Sequence, residues 1–160
     1  MKKISFISIL VFILDRITKI LITNNFKLNV KNKIIKNFLY ITNCHNKGAA
    51  FSLFNGNVIF LVLVTLIVLY IIYNSIRNYK ILNLLTTISY GLLLGGILGN
   101  LFDRLFYGYV IDFLDFIIFK YDFPIFNIAD IAIVFGAFML LFFEGSEVDE
   151  RTNNISNWCR

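Results

Sequence analysis

Two stretches of this chain, Asn57–Ile76 and Ile81–Phe102, contain no charged residue, and only Arg77–Lys80 separates them. A helix needs about 20 mostly apolar residues to cross a bilayer. Each stretch is therefore predicted to span a membrane, and the short link makes the pair a helical hairpin. Composition agrees: 58% of the 160 residues are hydrophobic, 16% are charged, and 18 are Phe. That many aromatic rings cannot be buried in one small core, so part of the solvent must be lipid.

Two further spans are expected, Ile4–Thr23 and roughly Phe126–Phe143, and these carry ionisable groups. Lys2–Lys3 before Ile4–Leu14 resembles the start of a secretory signal peptide. Asp15, Arg16 and Lys19 follow at once with no small-residue cleavage site, so a retained first helix is predicted. The whole chain, 1–160, reads as a single domain with spans near 4–23, 57–76, 81–102 and 126–143. Between the first two spans, residues 24–56 are polar. Phe26, Leu28 and Val30 alternate with Lys27, Asn29 and Lys31, and Phe38, Tyr40 and Thr42 alternate again. Period-two alternation predicts short strands with one apolar face. Open sheet edges cannot sit in lipid, so the sheet is expected on the membrane surface. Leu105–Pro124 reads as a connection, with Pro124 just before the last helix, and the tail from Glu144 is polar and acidic.

The net charge of +5 is spread around apolar spans, which points to anionic headgroups rather than nucleic acid. Cys44 and Cys159 have no metal-ligand spacing, so neither zinc nor a disulfide framework is indicated. No phosphate-binding glycine loop is present, Ser52 has no plausible triad, and His45 reads as a surface histidine.

The carboxylates are the informative groups, because an ionised carboxylate at membrane depth is costly and commonly lines a functional interior. Asp15 and Lys19 are spaced i, i+4, as for an ion pair on one helical face, which could also support a site from below. Gly91, Gly95 and Gly99 form a small-residue seam for close helix packing. Asn100, Asp103 and Arg104 cluster one turn on, where Asp103–Arg104 reads as an interfacial ion pair and Asn100 as a holder of backbone carbonyls or substrate. Asn127 and Asp130 have the spacing of a capping box, and Asp112 and Asp115 could be ordinary loop acids. Together, Asp112 and Asp130 suggest two carboxylates sharing a proton, one activating water while the other donates to a carbonyl oxygen. A small proton-coupled transporter, from Asp15, Lys19 and Asp130, and a noncatalytic membrane assembly factor remain alternatives.

In order along the chain, Asp15–Arg16–Ile17–Thr18–Lys19, Asn46–Lys47–Gly48–Ala49–Ala50–Phe51–Ser52, Gly95–Gly96 through Asn100 to Asp103–Arg104, Gly108-x-Val110-x-Asp112–Phe113, and Phe123–Pro124-x-Phe126–Asn127-x-Ala129–Asp130 resemble the motifs of bacterial lipoprotein signal peptidase, or signal peptidase II. The family often has Gln where Arg16 stands. The resemblance implies four transmembrane helices with a small periplasmic β-sheet, or cradle, between the first and second. It implies an aspartic endopeptidase, without cofactor or metal, that cleaves diacylglyceryl-modified prolipoproteins just before the lipidated cysteine. Asp112 and Asp130 would be the catalytic pair. Asn46, Asn100, Arg104 and Asn127 would contact or orient substrate, Asp103 would support that cluster, and Asp15 and Lys19 would support the fold. Globomycin-type inhibitors, membrane lipids, a monomeric state and the bacterial inner membrane with a periplasmic active site are likewise implied. Lys27, Lys31, Lys33, Lys36 and Lys47 would by the positive-inside rule put the sheet in the cytoplasm. The resemblance puts it on the opposite side.

Overall fold

Helix α3 (Leu84–Tyr107) carries the packing of the molecule, because its glycines leave backbone bare where neighbouring helices approach. The computed structural model describes residues 1–48, 54, 56–78, 82–119 and 121–142. Helix α1 (Lys2–Asn25) buries Ile4, Ser8, Asp15, Lys19 and Ile22, a stripe of helical periodicity. That stripe meets the predicted glycine seam. A Cβ at Gly91 would lie 2.6 Å from Ile7 Cβ, one at Gly95 2.7 Å from Ser8 O, and one at Gly99 2.6 Å from Asp15 Oδ2. Gly96, on another side of α3, would strike the backbone oxygen of Ala129 at the start of helix α4 (Ile128–Phe142). Gly136 of α4 lies equally close to the backbone of Ser89 and Leu93.

Helix α2 (Val58–Asn78) packs more loosely. Ile72 and Ile76 join Ile4, Tyr90 and Ile97 in the core, and the Ser75 and Tyr90 hydroxyls are 2.8 Å apart. Ile59, Leu63, Ile67, Tyr70 and Ile71 are all more than half exposed. Contact with lipid makes such a surface ordinary. Helices α2 and α3 are long and apolar enough to cross a membrane, over Val58–Arg77 and Leu84–Tyr107.

Four antiparallel strands form one sheet in the order β1 (Lys31–Ile35), β2 (Leu39–Asn46), β3 (Val110–Ile118) and β4 (Tyr121–Asp122). The expectation of a sheet confined to residues 24–56 needs correction. Half of its strands come from the segment read as a connection between the last two helices. Asp112 and Asp115 are accordingly strand residues, not loop acids. The first strand also starts later than the alternation suggests. Asn29 takes φ 58 and Leu28 makes only an isolated bridge to Asn43, so extended pairing begins at Lys31.

Gly108 ends α3 in the left-handed conformation (φ 75), its N–H reaching Arg104 O at 3.2 Å. Such a cap turns the chain sharply out of a helix, and here it delivers β3 beside β2. One extra residue in β2 between Ile41 and Cys44 shifts the register, so that Cys44 faces Asp112. The Phe126 carbonyl then accepts N–H bonds from Phe113 (3.0 Å) and Leu114 (2.8 Å), tying the entrance of α4 to β3.

Gly95→Leu is expected to cost about 1–3 kcal/mol by forcing α1 and α3 apart. Leu98→Ala, a change on a partly exposed face, is expected to cost less. Thermal unfolding in detergent, with both variants beside the parent, measures the difference.

Candidate active site

Helix α4 begins with a capping box, and the box is built from site residues. Asn127 is the N-cap: its Oδ1 accepts the Asp130 N–H at 3.0 Å, while Asp130 Oδ2 accepts the Asn127 N–H at 3.1 Å. The capping-box spacing read from the sequence is thus met in the structure. Asp130 lies at the positive end of the helix, and its Oδ1 accepts Asn100 Nδ2 at 2.7 Å.

The same Asn127 side chain reaches the other carboxylate. Its Nδ2 donates to Asp112 Oδ1 at 2.7 Å and approaches Asn100 Oδ1 at 3.1 Å. Asn46, at the end of β2, donates to Asp112 Oδ2 at 2.9 Å, and its own Oδ1 accepts the Gly48 N–H at 2.9 Å. Asp112 and Asp130 are thus fixed through shared amides, on β3 and α4, with Asn127 bridging them. Asp112 is 3% exposed. Burial, then the charge of Asp130, pushes its carboxyl up to about 7, against the opposing donors Asn46 and Asn127. Asp112 is therefore the carboxyl of this pair that can carry a proton near neutral pH, being about half protonated at pH 7.

Beneath this pair lies a layer of buried charge. Lys19 Nζ is 2.9 Å from Asp15 Oδ2 and 2.8 Å from Asp103 Oδ2, and it donates to Asn100 Oδ1 at 3.0 Å. Arg16 Nη2 is 2.7 Å from Asp103 Oδ1, and its guanidinium sits over the Phe102 ring at 4.8 Å. Asp103 Oδ2 also accepts the Ile111 N–H, and Asp15 Oδ1 accepts that of Ala129, each at 3.2 Å. The layer thereby binds α1 to α3, to the start of β3 and to the first turn of α4. Because Lys19 can only donate, it turns the Asn100 oxygen toward itself and leaves the Asn100 Nδ2 facing Asp130.

Above the carboxylates opens a cavity of about 1010 Å³. Its lining combines the polar Asn46, Asn100, Arg104, Asp112 and Asp130 with the largely apolar Phe123–Phe126, Ile131, Val134 and Phe135. Arg104 Nη2 donates to Gly48 O at 3.2 Å and so holds the end of β2 over α3. Cys44 and His45 also line the cavity. Burial pushes the Cys44 thiol up, helped by the charges of Asp112 and Asp115, and burial, then Lys47, lowers the His45 imidazole.

A fold of helices around a small antiparallel sheet, with paired aspartates at a half-apolar cavity, is one that known proteins share. The family model described as "Signal peptidase (SPase) II" matches residues 7–144. The chain belongs to the signal peptidase II family. As a member it is a membrane enzyme, a peptidase. It is 41% identical over 137 residues to a "Lipoprotein signal peptidase" of Staphylococcus carnosus (strain TM300), covering 85% of this chain and 86% of that one. It is 38% identical over 135 residues to a protein of the same name from Staphylococcus aureus (strain bovine RF122 / ET3-1), covering 84% and 83%. Two solved bacterial membrane enzymes, determined in meso at 2.3 Å and 1.9 Å resolution, superpose with TM-scores of 0.83 and 0.78. Their identities are 33% and 35%; the alignments cover 96% and 88% of this chain and 92% and 91% of theirs.

All nine residues singled out from the sequence of this signal peptidase II member fall in one connected polar network: Asp15, Lys19, Asn46, Asn100, Asp103, Arg104, Asp112, Asn127 and Asp130. Two details differ. Asp103 pairs with Arg16 and Lys19 instead of Arg104, because adjacent helical residues point apart. His45 is a half-buried cavity residue, stacked on Tyr109 at 3.8 Å, not a free surface group. Arg16, Ala129 and the Lys31–Asp115 pair carry contacts that the sequence reading did not assign. Ala129 has no side-chain chemistry to notice; its role is a backbone N–H and a small Cβ against Gly99. Ser52, Cys159 and most of the Lys47–Ser52 motif lie outside the described residues.

A carboxyl raised to about 7 in the folded state, from 3.8, adds stability at low pH that is lost as pH climbs. The stability of the parent relative to Asp112→Asn is therefore expected to fall between about pH 4 and pH 7 and then level off. Melting curves of both proteins across that range check it; a difference independent of pH contradicts the assignment.

Proposed function

We propose that this chain is an aspartic endopeptidase that removes the signal peptide from diacylglyceryl-modified prolipoproteins, cutting just before the lipidated cysteine. The observation that carries the reading is the pair Asp112 and Asp130, held by one asparagine, with burial and the neighbouring charge pushing the Asp112 carboxyl up to about 7. The staphylococcal relatives bear the corresponding name.

Asp130 accepts two N–H donors at a helix N-terminus, surroundings that suit a carboxylate. It takes a proton from water as the water oxygen attacks the scissile carbonyl carbon. Asp112 gives its proton to the carbonyl oxygen, so that a neutral gem-diol forms and no charged oxyanion is left in an apolar cleft. In collapse, the proton now on Asp130 passes to the departing amide nitrogen as the C–N bond breaks. A gem-diol hydroxyl returns its proton to Asp112, restoring the starting state. Asn46 and Asn127 hold the Asp112 carboxyl, Asn100 holds Asp130, and Arg104, at the cavity wall, offers its guanidinium to the substrate backbone. The apolar wall of the cavity, continuous with the exposed Val134, Phe135 and Phe138 of α4, suits acyl chains entering sideways from lipid.

In this reading all four helices span the inner membrane. Helix α1 is about 36 Å long, enough to cross, and its buried charges turn inward to α3. The sheet and cavity face the periplasm. Lys31, one of the lysines that favour the opposite orientation, is spent within the sheet on Asp115, which weakens the charge count. The enzyme acts as a monomer, without metal or cofactor, and binds globomycin-type inhibitors. A proton path is less well supported: Asp15, Lys19, Arg16 and Asp103 form a closed, mutually neutralised group beneath the cavity.

Asp112→Asn and Asp130→Asn are each expected to lower cleavage of a diacylated prolipoprotein by at least about 1,000-fold, with folding intact. Turnover of purified variants, reconstituted in lipid, measures this. Variants retaining a tenth of parental activity reject the catalytic assignment. The same assay with unlipidated substrate is expected to show much weaker cleavage.

A further inference from the structure

Lys31 stands on the edge strand β1, yet its side chain serves the far side of the sheet. Its ammonium passes 5.9 Å from the Tyr40 ring centroid and ends 3.2 Å from Asp115 Oδ2 and 3.7 Å from Asp122 Oδ1. Asp115 is 1% exposed, and its Oδ2 also accepts the Thr42 hydroxyl at 2.9 Å. Along β3, Asp112 and Asp115 are three residues apart and so face opposite sides of the sheet. The peptidase chemistry therefore leaves Asp115 and Lys31 without a task. Their partner on β4 suggests one. That strand has two residues, held by the pairs Ile117↔Asp122 and Ile118↔Tyr121 and by the Phe123 N–H to Phe116 O at 2.9 Å. It leads directly into Tyr121–Phe126, which lines the cavity. Backbone bonds tie this wall to β3 at Phe126 and Phe123, and the two-residue β4 fixes its outer end, where Asp122 stands.

We propose that Lys31, Asp115 and Asp122 form a latch that holds the Tyr121–Phe126 wall against the cavity, which makes Lys31 a positioning residue for substrate. The Lys31–Asp115 contact is the anchor, since its carboxylate is buried. Asp122, 69% exposed at its side chain, is the releasable arm, and salt screens it. Loosening the arm lets the wall move away, which weakens binding while leaving Asp112 and Asp130 in place.

Removing Lys31 alone would strand a buried carboxylate, so the test uses Asp122→Asn, Lys31→Arg, the double variant Lys31→Met/Asp115→Asn, and the triple variant that adds Asp122→Asn. With full-length enzyme and a diacylated prolipoprotein peptide, Asp122→Asn and the double variant are expected to raise KM roughly two- to fivefold, the range for an exposed ion pair. Their kcat stays within about twofold of the parent. Lys31→Arg keeps the parental KM, and the triple variant is no worse than the double. Hydrogen exchange of the 121–126 amides is expected to rise in the same variants, with the helices unchanged. That readout needs no substrate, so it stands or falls apart from the peptidase reading, on which only the KM arm rests. Unchanged KM and exchange overturn the latch. An added KM increase in the triple variant overturns it in favour of direct contact between Asp122 and substrate. Loss of kcat, or faster exchange throughout, overturns it in favour of a general structural role.

Discussion

The arrangement of the site depends on one asparagine. Asn127 starts α4, and in doing so it places the Asp130 carboxylate at the helix N-terminus while its own amide grips Asp112. A helix cap is normally worth about 1 kcal/mol of local stability. Here the same hydrogen bonds also set the spacing of two carboxylates on different elements. The site inherits the rigidity of a helix terminus, and the helix cannot shift without pulling the pair apart.

The layer of buried charge below explains how such a polar site is kept at the edge of apolar helices. Asp15, Lys19 and Asp103 are fully buried, and each is compensated by a neighbour on another element or another turn. Such groups contribute little net stability, but removing one leaves an unpaired charge at a cost of about 3–5 kcal/mol. The layer thus works as a register device. Lys19 orients Asn100, Asn100 orients Asp130, and Gly99 leaves the gap into which Asp15 fits. Charge, glycine seam and site are one construction.

Much of this was legible in the chain itself, where the physics is local. Charge-free runs of helical length mark α2 and α3, and the capping-box spacing marks Asn127 and Asp130. Strand β3 was not legible. Val110–Ile118 buries acids on both faces, Asp112 on one and Asp115 on the other, so the expected alternation of apolar and polar residues is missing. Its partner Lys31 lies far away in sequence and read as a topology signal, not as an ion-pair partner. The same distance hid the role of Arg16, whose tie to Asp103 spans two helices. What local pattern cannot reveal is which buried charges will find each other across the fold.

The central claim, that the buried Asp112 carboxyl beside Asp130 is raised far enough to carry a proton near neutral pH, is tested most directly by infrared spectroscopy of the lipid-reconstituted enzyme. The account predicts a protonated-carboxyl stretch that titrates near pH 7 and is absent from Asp112→Asn. A spectrum with no such band at pH 6, or one that survives the substitution unchanged, would contradict it.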